Sequence, residues 1–115
     1  AYYQGASAFQ KLAQNEYLSP KVTLAEDFSL GFSPRFNALG ETACSKLNLI
    51  QNGRLKNWMI STRTAKEYNL VSNYAEEHEG MRSAFLMPGT LQKENILTAL
   101  DTGLYVSNLH YLNWS

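Results

Sequence analysis

The 115-residue chain is poor in several things. It has one cysteine, Cys44, so no disulfide can form within the chain, and a reducing, cytoplasmic compartment is expected. It has no apolar run near the ~18 residues of a membrane span. Its first ten residues, AYYQGASAFQ, lack the basic-then-apolar order of a signal peptide. It lacks an excess of either charge: ten Lys and Arg balance ten Asp and Glu, and the basic residues are scattered. That argues against a nucleic-acid backbone or an anionic membrane as partner. Only two histidines, His78 and His110, are present.

What remains is ordinary globular material, 44% apolar, enough for one modest domain over residues 1–115. There is no initiator Met, and HYLNWS stops within a strand-like run. Together these lead us to expect a piece of a larger domain.

In chain order, residues 1–17 read as a helix with Ala6, Phe9, Leu12 and Ala13 on one face, ended by Ser19-Pro20. Residues 22–25 alternate as a short strand. Glu26 and Asp27 follow in what reads as a loop. A metal or acid/base role for the pair is weighed against plain exposed acids, and the latter preferred. Residues 28–42 read as a Gly/Pro loop carrying Phe28, Phe32 and Phe36. These rings either pin the loop to the core or form a stacking or peptide surface, and pinning is the preferred reading.

Residues 44–61 hold the strongest local signal. CSKLNLI and RLKNWMI flank Gln51-Asn52-Gly53, and Asn-Gly is the favoured two-residue hairpin turn because both positions tolerate positive φ. The second run breaks alternation at Leu55, Trp58 and Ile60, which predicts a bulge or face change. Cys44 has no base near it in sequence and reads as structural. Residues 61–69 predict a short helix capped by Ser61 or Thr62 and ended by Asn69.

Residues 70–82 are polar and acidic, with Glu76, Glu77, His78 and Glu79 in a row. A metal site is the tempting reading. Adjacent side chains do not converge on one ion without special backbone geometry, so a mobile solvated loop is expected. Residues 83–87 predict a strand, turned by Pro88-Gly89 into a helix. Thr90 is the expected N-cap, Leu91, Ile96, Leu97 and Leu100 the apolar set, and Gly103 the stop. A second strand is expected over residues 104–112. The fold class is therefore α+β: an antiparallel hairpin plus a strand–helix–strand unit with a right-handed parallel crossover, giving a mixed sheet with helices packed on it.

The ordered set of motifs resembles the C-terminal domain of the TldD/PmbA family, also labelled modulators of DNA gyrase. Ser33-Pro34 with Phe36 and Gly40, Asn52-Gly53-Arg54-Leu55, Ala65, Pro88-Gly89 and Gly103-Leu104-Tyr105-Val106 carry the resemblance. SNLHYLNW is closest to the PmbA/TldE-like branch. The resemblance implies a proteolytic assembly that cleaves small or unfolded peptides, in which a zinc-bearing subunit pairs with a related subunit lacking the metal motif. That motif, His-Glu-x-x-x-His, is not met here: His78-Glu79 is present, but Arg82 stands where the second His belongs. No catalytic or metal residue is therefore assigned to this chain, and zinc is expected in a partner subunit or a segment upstream.

Scaffold or peptide-groove surface is the expected contribution, with Asn108, His110 and Tyr111 nearest substrate or partner on an uncovered strand edge. Partners are a metal-bearing family subunit, or a second copy through the C-terminal strand. The alternative is a non-enzymatic protein–protein interaction module, suggested by seven Tyr, two Trp and neutral charge.

Overall fold

The computed structural model describes residues 9–14 and 16–110. At its centre is strand β1, Leu24–Asp27. It pairs antiparallel with β2, Lys46–Gln51, on one side and with β4, Ala84–Leu86, on the other. Strand β3, Arg54–Leu55, completes the order β3-β2-β1-β4. The α+β class holds. The described sheet is antiparallel throughout, because β4 joins β1 directly and no parallel crossover partner forms.

The hairpin forms at the predicted turn. Asn52 and Gly53 both take positive φ, 50° and 76°, which matches the twist of the flanking strands. The second strand is irregular as expected, and short. After Leu55 the chain leaves the ladder, with both Lys56 and Asn57 donating their N–H to Leu49 O. The turn is also clasped from outside: Gly53 N–H donates to Val22 O and Leu18 N–H donates to Gly53 O.

Helix α1, Gln10–Ala13, is shorter than predicted. The chain has left the helix by Glu16, well before Ser19-Pro20, where a turn closed by Val22 N–H to Ser19 O leads into the sheet. The part of that prediction on residues 1–8 lies outside the described residues. Helix α2, Thr62–Tyr68, matches its prediction at both ends. Ser61 Oγ accepts from Thr64 N–H, and Asn69 closes it in the left-handed conformation at φ 54°.

The core is small: Ala25, Phe28, Ala43, Leu49, Ile50, Ala65 and Ala75 are buried. Of the three loop phenylalanines only Phe28 pins the 28–42 loop, while Phe32 is 84% exposed and Phe36 59%.

Three expectations need correction. Glu26 and Asp27 lie in β1 and are buried, with Glu26 Oε1 accepting from backbone N–H groups and Asp27 Oδ1 accepting from Ser29. The 70–82 loop is strapped down rather than solvated: Asn73 donates to Trp58 O and accepts from Ile60 N–H, Ser72 Oγ donates to Ile60 O, and Ala75 is buried. The C-terminal unit differs most. A 3-10 turn, Lys93–Asn95, precedes helix α3, Ile96–Leu100, with Gln92 in the cap position, so Thr90 lies too far upstream to reach the first turn's donors. Asp101, not Gly103, takes the positive φ after the helix. Residues 104–110 form no strand, since no neighbouring strand among the described residues offers them a ladder.

Candidate functional site

Among the described residues, none covers one face of the sheet. The ladder places Ala25, Asp27, Lys46, Asn48 and Phe85 together on that face, with Thr23 and Met87 at its end. A groove of about 300 Å³ runs over it, lined by Thr23, Ala25, Lys46, Asn48, Phe85 and Met87. The small side chain of Ala25 makes the floor, and the β2 and β4 side chains make the walls. Lys46 Nζ sits 3.2 Å from Asp27 Oδ2 and 5.4 Å from the Phe85 ring centroid. The ammonium is thus held over the groove by a carboxylate and a ring face. Asp27 in turn accepts from Ser29 Oγ at 2.5 Å and Ser29 N–H at 3.0 Å. The Ser29 hydroxyl bond is the main reason its carboxyl is held below the ordinary carboxylate range, against a smaller opposing effect of burial and with help from Lys46.

The groove borders the outer edge of β4, which pairs with no further strand among the described residues. Ser83 O accepts from Asp27 N–H and Met87 N–H donates to Thr23 O, so by antiparallel alternation Ala84 and Leu86 direct their N–H and C=O outward. Leu86 and Met87 are exposed beside that edge. A groove with one apolar wall, Phe85 and Met87, and one polar wall, Lys46, Asn48 and Gln51, next to a ladder edge that no described strand occupies, suits an extended peptide main chain.

The acids behind the sheet serve other purposes. Glu26 Oε1 accepts from the N–H of Arg82 at 2.8 Å and of Ser83 at 2.9 Å. Glu79 Oε1 accepts from Ser61 N–H at 3.1 Å. Glu41 bridges Asn37 Nδ2 at 2.8 Å and Thr62 Oγ1 at 2.7 Å, and these two bonds, Asn37 first, hold its carboxyl below its ordinary range. Glu76 Oε1 faces Arg82 Nη1 at 3.7 Å. His78 is exposed, its ring folded back over Gly80. Among the described residues no group of three His, Cys, Asp or Glu is placed to hold a metal ion. Cys44 is exposed, its thiol donating to Lys46 O.

Asn108 and His110 are exposed in coil and are not brought to the groove by any described contact, and Tyr111 lies outside the described residues. The groove residues were not singled out from sequence. The alternation of residues 22–25 and of 46–49 was the available signal, but it does not reveal which face a neighbouring strand leaves open. No described helix is long and apolar enough to cross a membrane.

A family model described as the PmbA/TldA metallopeptidase C-terminal domain matches residues 1–115. No curated protein and no solved structure matches.

Proposed function

The chain belongs to the PmbA/TldA metallopeptidase C-terminal domain family, and on that footing we propose that it is a component of a peptidase assembly acting on small or unfolded peptides. Its part is scaffold and peptide-groove surface, and the zinc chemistry resides in a metal-bearing subunit or another segment. The observation that carries the reading is the groove beside the β4 edge that no described strand occupies, within a domain of this family. A peptide laid along Ala84–Leu86 would add a strand, its side chains alternating between the groove and solvent.

Asn108, His110 and Tyr111 belong, on this reading, to the surface that meets the partner or the peptide. In support, Asn108 and His110 are exposed beside the likewise exposed Leu104, Tyr105 and Leu109. A cytoplasmic setting is supported by the single exposed thiol of Cys44.

The test is to combine the full-length protein with a metal-bearing family subunit and assay cleavage of an unfolded peptide. Cleavage should require both, and Phe85→Ala or Leu86→Lys should raise KM several-fold with kcat little changed. Failure to associate, or KM indifferent to both substitutions, counts against the proposal. The second reading, a non-catalytic interaction module, draws on the exposed apolar residues between Leu86 and Leu109. It is favoured if a stable partner complex forms and cleaves nothing.

A further inference from the structure

Behind the sheet, on the side opposite the groove, lies a cavity of about 10 Å³, bounded by Glu26, Phe28, Leu47, Met59, Ala43 and Arg82. Two of its lining residues each carry a polar atom with no hydrogen-bond partner among the described residues: Glu26 Oε2 and Arg82 Nε. Both are buried, and Glu26 as a whole is 1% exposed. Their companion atoms are hydrogen-bonded elsewhere. Glu26 Oε1 takes two backbone N–H bonds, and the outer nitrogens of Arg82 reach Phe36 O at 2.6 Å, Pro34 O at 3.4 Å and Arg35 O at 3.5 Å. The guanidinium also lies over the Phe28 ring, 4.7 Å from its centroid. Neither side chain is free to swing toward the other without breaking these bonds.

The mismatch is chemically complementary. Arg82 Nε carries a hydrogen and needs an acceptor. Glu26 Oε2 has lone pairs and needs a donor. A bound metal ion fits poorly, since a guanidinium would face it. A water molecule fits both, accepting from Nε–H and donating to Oε2, and the cavity is at the small end of what one water occupies. Leaving either atom unpaired costs about 1–3 kcal/mol or more for a charged group. We propose that this cavity is a binding site for one structural water that bridges Glu26 of β1 to Arg82. The water joins the sheet to the 33–37 segment, because Arg82 donates to the carbonyls of Pro34, Arg35 and Phe36.

Two measurements on the folded protein decide it. A crystal structure at a resolution that places waters should show one within hydrogen-bond distance of both atoms. No density there, or Glu26 turned to meet Arg82 Nε directly, overturns the proposal. Water-17O relaxation dispersion should count one fewer long-lived water in Ala43→Val, whose added methyls take up the cavity, and that variant should melt lower. An unchanged water count, or a higher melting temperature as expected for filling a dry void, also overturns it. If Ala43→Val fails to fold, the crystal structure of the unsubstituted protein still decides.

Discussion

Ser83 gives its backbone N–H to Glu26 Oε1 at 2.9 Å, so a buried carboxylate in the central strand does work that a ladder carbonyl would otherwise do. The exchange is reciprocal across β1 and β4. Asp27 N–H donates to Ser83 O at 2.8 Å, and Ser83 Oγ donates to Asp27 O at 2.6 Å. Glu26→Ala would strand the N–H groups of Arg82 and Ser83 together, at about 1–3 kcal/mol each. We expect a loss of about 2–5 kcal/mol in urea unfolding for Glu26→Ala. Glu26→Gln keeps an acceptor oxygen and should lose clearly less. Equal losses for the two variants would mean that the hydrogen bonds are not the stabilising feature.

Acid should loosen the fold through Asp27 and Glu41. Both carboxyls are held below their ordinary range, Asp27 chiefly by Ser29 and Glu41 chiefly by Asn37. The folded state therefore binds protons more weakly than the unfolded chain. Stability from these groups is complete above the unfolded carboxylate range, near pH 4, and is lost as pH falls through the lower folded values. The urea midpoint should drop between pH 5 and pH 3, and Asp27→Asn with Glu41→Gln should flatten that drop. A slope unchanged in the double variant would contradict it.

Those carboxylates also show where the sequence stops being informative. The Asn-Gly hairpin and α2 are legible because their determinants are local: two residues that tolerate positive φ, a serine cap and an asparagine stop. Glu26 is not legible, because its partners Arg82 and Ser83 lie 56 and 57 residues further on. The same holds for the 70–82 loop, whose polar residues look solvated until Trp58, Ile60 and Ser61 supply their partners. For residues 104–110 the apolar pattern suggests a strand, yet a strand exists only where a neighbour completes its ladder. The groove was equally hidden, since an open sheet face depends on what fails to cover it.

Gly53 should tolerate no side chain. Its φ of 76° disfavours any L-residue by roughly 1–2 kcal/mol. A Cβ there would also fall inside contact distance of Leu18 O and 2.7 Å from Ser19 O, which are backbone atoms without a rotamer to change. Gly53→Ala should thus cost more than the φ term alone and open the Leu18 and Val22 bonds to the turn. Faster amide exchange at Leu18 together with a lowered melting temperature is the expected signature. Alanine accepted at no cost would show that the 18–22 segment does not clasp the turn.

Arg82 should resist replacement by lysine. Its Nη1 reaches the carbonyls of Phe36 and Pro34, Nη2 reaches that of Arg35, and the flat guanidinium lies on Phe28. A lysine carries its charge at one point and has no planar face to lay on the ring, so it can satisfy at most part of this set. Hydrogen bonds from a charged donor contribute about 1.5–3 kcal/mol, and a ring-stacked cation about 0.5–2 kcal/mol. Allowing for what lysine retains, Arg82→Lys should lose about 1–3 kcal/mol and Arg82→Ala more. The two should share a local symptom, faster amide exchange at Asn37 and Gly40, whose N–H bonds to Glu41 O and Asn37 O depend on that loop staying closed. Global destabilisation without this local change would mean that Arg82 acts by filling space behind the sheet, and that the loop is held by its other bonds, those of Arg35 to Ala43 and of Asn37 to Glu41.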